Sequence, residues 1–500
     1  MTVQAAEMLT PYSTVVPYMS APPTWMTPYD AQRVLSYQIY EQIYWSVPHT
    51  FKLTMRGTED NPIYIPTART IIDTTNRYVG KDFAFAVETD VGSESDQAVL
   101  RGALTMLFRR ERFWSKFAAN KRFGLIRGDW CFHILANTAK PAGSRIKLET
   151  IDPAAYFPQF HPDDPEKIIA VHIVEQVIAD DQVRIKRQTY TKGIDPLLND
   201  GSDTTIYNSV GLFDPKAWED ITLNPVKVIK PPTALPPQIT AIPVYHIRNI
   251  ESPGDPFGSS EIRGVERICA AINQAISDEE LALALEGLGM YATDGGPPKD
   301  ESGAITDWVL GPGAVVEHPA GSKFGRINGV SSVTPVMDHL NYLGTALKES
   351  TGTPDAAIGK LDVKVAESGI SLILQMGPML AKVGERDQEI TDTMRQMFFD
   401  LSGWLEAYEQ IVTPAVAVPL YGDVLPQNKD KQVAEILDMV AAGLATSDWG
   451  RQEIAKIRGY VFPEDIGQAV LNEQQERARA TDPFAERMAG EIAAAAAGTQ

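Results

Sequence analysis

Between Pro256 and Ile411 the order of elements restricts the fold more than any other feature of this chain. A helical stripe over Ser259 to about Met290 places Ile262, Val265, Cys269, Ile272 and Ile276 three or four residues apart, on one face. A Gly/Pro-rich, β-like insert follows, from Tyr291 to Ser332, and then a shorter helical stretch from Val336 to about Ser350. The loop Thr351-Gly-Thr-Pro-Asp-Ala-Ala-Ile-Gly-Lys360 leads into a long helical region from about Ala366 to Ile411. Gly377-Pro378 interrupts that region, and the missing proline donor predicts a kink. Two helices bracketing a small β insert, then a loop, then a long helix, suit an element of a wall better than a catalytic pocket.

The preceding half alternates between the two periods. Residues 1–28 carry five prolines and read as an extended arm. Helices are expected from Asp30 to Trp45, where Leu35, Ile39 and Ile43 share a face, from near Thr67, and as one long element from Asp96 to about Leu125. Trp130 to Leu135 reads as a strand, and so do Lys147–Ile151, Ile168–Val177, Val183–Thr191 and Val244–Ile250. Pro231, Pro232, Pro236 and Pro237 mark a linker or loop. A last helix is expected from Asp482-Pro483 into the Ala-rich tail.

Composition narrows the chemistry. The 500 residues are enough for about three domains with a sizeable core, and a formal net charge of −20 disfavours sequence-reading duplex binding while permitting a local basic contact. Cys131 and Cys269 are far apart, so no disulfide framework is expected. The first residues lack a basic segment followed by an apolar one, and no apolar run reaches membrane-spanning length, so a cytoplasmic origin is expected.

The motifs of common chemistries are missing. None of the seven histidines forms HxH, HExxH or a Cys-His cluster, so no metal and no cofactor are expected. Gly352 to Lys360 looks like a phosphate loop but has six residues between its glycines where a P-loop has four, and Leu361 stands at the metal-binding Ser/Thr. No GxGxxG or GxSxG occurs in the required context. Asp163-Asp164 and Asp180-Asp181 read as solvated surface carboxylates. The stretch Arg109-Arg-Glu-Arg-Phe-Trp-Ser-Lys-Phe117 has the residue types of a nucleic-acid contact. Its aromatics fall at helical spacing, however, so a packed helix with a basic outer or intersubunit face is the preferred reading.

From about Asp30 to Ile466 the chain resembles the portal proteins of tailed, long-tailed (siphovirus-like) bacteriophages. The resemblance is carried by Gly128-Asp-Trp-Cys-Phe-His-Ile134, by Gly258-Ser-Ser-Glu-Ile-Arg-Gly-Val-Glu-Arg267, by Ser350 to Gly359 with Glu367 to Leu372, and by Val433 to Gly443. It implies an α+β, mainly α, portal fold: an arm over 1–28, a wing over 29–257, stem helices at 258–290 and 336–350, and a clip at 291–335 between them. A tunnel loop at 351–365, a long kinked wing helix at 366–411 and a crown-like region at 412–500 would follow.

The implied function is non-enzymatic. A ring at one capsid vertex, typically a dodecamer, would pass double-stranded DNA during packaging and ejection. Its partners would be the terminase large subunit, a head-tail adaptor, and the major capsid and scaffolding proteins, and its location the virion. Lys348, Lys360 and Lys364 are the candidate DNA-facing residues near the tunnel loop. The alternatives are a large α+β hydrolase using carboxylates, and a capsid adaptor without a channel.

Overall fold

The structure is a computed structural model. Outside its description lie residues 1–27, 52, 54–61, 89, 180–181, 198–202, 215–224, 289, 295–298, 300–301, 306–320, 322, 328–333, 361–368, 423, 425–428, 459–469 and 471–500. The chain divides into two compact units, 1–422 and 423–500. Ala417–Leu420 belongs to the first unit, where it forms a strand paired with Ala84–Val87. The second unit contains the helices Lys429–Ala441 and Ser447–Arg458.

The first unit mixes helices and antiparallel sheets. It opens with α1 (Pro28–Tyr44), α2 (Thr67–Tyr78), strand β1 (Ala84–Val87), α3 (Glu94–Arg110) and α4 (Phe113–Arg127). The start of α3 is set by a capping box, in which the Ser93 hydroxyl accepts from the Asp96 amide and the Asp96 carboxylate accepts from the Ser93 amide. Next come β2 (Asp129–Ala136), β3 (Ile146–Ile151), β4 (Tyr156–His161), β5 (Asp164–Ala179), β6 (Gln182–Lys192), β7 (Ile206–Phe213), β8 (Lys227–Ala234) and β9 (Val244–Arg248). They make a three-stranded sheet, ordered β3-β2-β9, and a five-stranded meander from β4 to β8.

Helix α5 (Glu266–Leu288) and α6 (Thr334–Ser350) flank the short antiparallel pair β10 (Met290–Thr293) and β11 (Phe324–Ile327). Most of the expected clip lies outside the described residues. One turn, α7 (Asp355–Ile358), precedes the 36-residue helix α8 (Gly369–Trp404), which runs through Pro378 and ends in a π-helical turn at Leu405–Glu409. The helix–insert–helix–loop–long helix order is therefore present.

Four expectations change. The helix expected from Ser259 starts at Glu266, because residues 261–265 form turns, although Ile262 and Val265 still enter the core. The single helix expected from Asp96 to Leu125 is two: Arg112 sits at φ 53° in the left-handed region, and the corner brings Phe108 and Phe113 into a stack 4.5 Å apart. On α1 Ile43 is buried in the core, but Leu35 is 53% exposed and Ile39 is 40% exposed, and the rest of the inner face is Val34, Tyr37, Glu41 and Tyr44. The apolar period found only Ile43 of that face because a tyrosine-rich polar stripe is what the core takes up. The Pro231-Pro232 stretch is strand β8, tolerated because it is an edge strand with irregular register against β7.

Two kinds of interior hold the first unit together. Under α3 and α4 lies an aromatic core, with Phe83 stacked on Phe117 at 4.2 Å and Phe108, Phe113, Trp130, Phe132 and Phe398 around them. An aliphatic cluster joins Ile71 and Ile72 of α2, Leu125 and Ile126 of α4, Cys269 and Ile272 of α5 and Leu347 of α6. Both cysteines are buried and unlinked.

Candidate functional site

Three segments with no shared chemistry in the sequence meet at one buried place. Gly128 ends α4 at φ +107°, and a Cβ there would lie 2.6 Å from the Gly258 carbonyl oxygen. A Cβ on Gly258 would lie 2.2 Å from the Gly128 oxygen, so two backbones touch at a distance only glycine allows. The fully buried Asp129 locks the contact: its Oδ1 accepts from the Gly258 amide at 2.7 Å and faces His246 Nε2 at 2.7 Å. Its Oδ2 accepts from the Tyr37 hydroxyl. The Asn249 amide donates to the Gly128 carbonyl at 2.7 Å, and the Ser260 hydroxyl donates to the Ile126 carbonyl.

Glu261 carries this junction to α8. Because the helix starts only at Glu266, residue 261 turns inward and is buried. Its Oε2 lies 2.6 Å from Lys382 Nζ, and its Oε1 accepts from Arg386 Nε at 2.8 Å and from Asn249 Nδ2 at 3.3 Å. Lys382 uses its other two protons on the Thr75 hydroxyl at 3.0 Å and the Thr351 carbonyl at 2.9 Å. Burial pushes the Glu261 carboxyl up, but Lys382 and Arg386 outweigh it and hold the group below the usual carboxylate range. Burial draws the Lys382 ammonium down, and Glu261 opposes it.

Through Lys382 the junction reaches the segment expected as a tunnel loop, whose first half is folded. Helix α6 ends in a Schellman arrangement: Gly352, at φ +59°, donates to Glu349 O at 3.2 Å, and Thr353 donates to Lys348 O at 2.9 Å. Thr353 is completely buried, and the Thr351 hydroxyl donates to Leu347 O at 2.8 Å. A second left-handed glycine, Gly359 at φ +92°, closes α7, where the buried Ala357 accepts from the Tyr78 hydroxyl at 3.3 Å. Residues 351–359 are thus a packed turn, and residues 361–365 of the expected loop lie outside the described residues.

The three candidate lysines separate accordingly. Lys348 pairs with Asp355 at 2.5 Å, so a neighbouring carboxylate already offsets its charge. Lys360 is exposed at the edge of the packed turn, while Lys364 lies outside the described residues. Of the aromatic residues in the nucleic-acid-like stretch, Phe113 and Phe117 are core residues and Trp114 is 38% exposed, while Arg109, Arg110 and Arg112 are exposed. Lys121 is buried, donating to Asn76 O at 3.0 Å and to Val79 O.

Sequence reasoning passed over Glu261, Lys382 and Arg386. A helix running from Ser259 would put Glu261 off the apolar stripe of Ile262 and Val265, whereas the helix starts at Glu266. A signal was available in α8, where Lys382 and Arg386 lie four apart among the buried Met379, Val383 and Ile390. Chemically, every carboxylate oxygen at the junction is bonded, and nothing there presents a nucleophile beside a base. No helix among the described residues is long and apolar enough to cross a membrane, and no described group of three or more His, Cys, Asp or Glu is placed to hold a metal ion.

No protein-family model matches the chain, and no curated protein matches it. Among solved structures it is similar to the neck of a native GTA particle, computed with C12 symmetry, at 12% identity and a TM-score of 0.40. That likeness covers 91% of this chain and 99% of the other.

Proposed function

We propose that this chain is a wall subunit of a portal-type ring, a non-catalytic conduit for double-stranded DNA at one vertex of a capsid. One observation carries the reading. The segments 128–134, 258–267 and 350–359 and the long helix, scattered over more than half the sequence, converge on the Asp129–Glu261–Lys382 junction. Such a junction fixes the base of a helical hairpin and the root of a loop to one rigid helix, which a subunit must do if its loop is to bear on something moving past it.

The chain's charge fits that task. At −20 per copy a closed ring is strongly acidic, so few phosphates are neutralised and little counterion release would hold DNA to the wall. Lys360, exposed and without the pairing that holds Lys348 among the described residues, is the preferred transient phosphate contact, with Lys364 four residues further along the sequence. In this reading the ring is a dodecamer, the terminase large subunit and a head-tail adaptor bind it in turn, and capsid and scaffolding proteins surround it in the virion.

The test is the assembled particle. Negative-stain images and native mass of the purified chain should give a closed ring of about twelve copies with a central hole. A stable monomer, or an assembly without a hole, removes the reading, and the second outcome favours a capsid adaptor. Within a ring, replacing residues 360–365 by Gly/Ser should leave assembly unchanged and reduce DNA packaging or retention. Normal packaging would remove the loop from the DNA path.

A further inference from the structure

Two helices of the first unit, α3 and α8, present exposed faces of opposite charge. On α3 the face is Val99, Arg101, Thr105, Met106 and Arg109, with Met106 70% exposed and Val99 47% exposed. No carboxylate occurs on the helix after Asp96, and neither Arg101 nor Arg109 has a side-chain partner among the described residues. Thr105 and Arg109 also line a groove of about 360 Å³ at the α3–α4 corner, together with Phe85, Phe108, Arg112 and Trp114. Arginines without partners beside exposed methionine and aromatic side chains are the composition of an interface centre.

On α8 the exposed residues Leu374, Pro378, Ala381, Glu385, Gln388 and Asp392 fall three or four apart and make one stripe. Leu374 is 74% exposed, and the Glu385 side chain stays 75% exposed beside Arg386. The two cations of this stretch, Lys382 and Arg386, are buried against Glu261, so no cation is exposed on it before Arg395. Phe108 of α3 packs on Phe398 of α8 at 5.7 Å, so the two exposed faces point away from a shared core.

We propose that the α3 face of one copy packs antiparallel on the α8 face of the next. From its first turn onwards α3 carries Glu94 and Asp96, then Arg101, then Arg109, while from its far end backwards α8 carries Arg395, then Asp392, then Glu385. Opposite signs meet along the whole contact only in this direction. At the helical rise Arg101 and Arg109 stand about 12 Å apart and Asp392 and Glu385 about 10.5 Å apart, so both pairs can close together. Past them the exposed Leu374 would reach towards Trp114 and the groove. The proposal rests on the ring reading, since a contact between two different patches is what generates rings. Copies that each carry −20 repel wherever like surfaces meet, and they associate where a basic face meets an acidic one. Nucleic acid is the weaker occupant, because Met106 and Val99 beside the arginines gain nothing from phosphates.

Cross-linking and charge reversal test the contact in the full chain. T105C/Q388C puts one cysteine midway along each face, and mild oxidation should give a ladder of disulfide-linked copies on a non-reducing gel. T105C or Q388C alone should give no ladder, and the native Cys131 and Cys269 are buried. R101E/R109E and E385K/D392K should each raise the apparent dissociation constant of assembly roughly tenfold or more in light scattering at low salt. The chain carrying all four reversals should assemble again. A ring that yields no ladder, or that forms unchanged in either reversed pair, overturns this contact and leaves the ring reading standing. A wild-type chain that stays monomeric at every concentration overturns both. Loss of binding to a labelled DNA duplex in R101E/R109E, with assembly unchanged, overturns the contact in favour of nucleic acid.

Discussion

The aromatic core under α3 and α4 and the charged junction around Glu261 are both buried, and both hold distant parts of the chain together. They do it by opposite means. In the core, rings such as Phe83, Phe113 and Phe117 exclude water and tolerate approximate geometry. In the junction, Glu261, Lys382 and Arg386 have given up hydration and are stable only while each polar atom keeps its partner. The core resists being emptied, while the junction resists being half-dismantled. A loop root that must keep one position benefits from the second property, because a polar network accepts few alternative arrangements.

Removing one charge from the junction should give the largest effect. Glu261→Ala leaves two buried cations facing each other, with an expected loss of about 3–5 kcal/mol of stability in urea unfolding. Phe113→Ala, which only opens a cavity, should cost a comparable ~3–5 kcal/mol. The pair differs in what restores it. Combining Glu261→Ala with Lys382→Met and Arg386→Met should recover most of the loss, since an apolar replacement of a buried ionic group is often neutral or better. If the triple variant is no more stable than Glu261→Ala, the junction is not held by charge pairing.

Next in size is the glycine contact beneath the junction. Gly128→Ala asks an L-residue to adopt φ +107° and brings its Cβ within 2.6 Å of a backbone oxygen. Backbone strain alone is worth about 1–3 kcal/mol, and the Gly258 segment must shift as well. The expected outcome is a lowered denaturation midpoint together with loss of hydrogen-exchange protection at Asn249 and Glu261, whose amides bond to Gly128 O and Leu125 O. A variant with wild-type protection at both amides would show that the two backbones can part without disturbing the junction.

The same contrast explains what could be read in the sequence. Periodicity located α2, β2, β5, β6 and α6 within a few residues, because their apolar side chains face one core. It failed at the Arg112 corner, where neither glycine nor proline marks the left-handed turn, and at Ser259, where residues with helical spacing form consecutive turns. It also failed on α1, whose buried face includes Arg33, Tyr37 and Glu41. A hydrophobic pattern sees apolar burial, and the junction is buried polar surface. The order of elements over 256–411 was legible, but the ion-paired bolt that holds them together was not.

The smallest effect concerns Asp387, one residue beyond Arg386 on α8, and it separates a group that pays for burial from one that is fully compensated. Burial pushes its carboxyl up to about 6, although the Gly80 amide donates to it at 2.7 Å and Lys121 also opposes the shift. The folded chain therefore holds a proton that the unfolded chain, with an ordinary carboxyl near 3.8, releases. Stability from this group is greatest at acidic pH, falls as pH rises between those two values and is lowest at neutral pH and above. Asp387→Asn keeps an acceptor for the Gly80 amide and removes the titration. It should therefore melt above the wild type at pH 7.5, with the gap closing towards pH 4.5. His133 and His172, which burial draws down to about 3 and about 4, favour the opposite slope, but they are common to both chains and cancel in the difference. A gap that stays constant across this range, or opens towards acid, would mean that Asp387 is compensated as completely as Glu261 and that the junction extends one residue further along the helix.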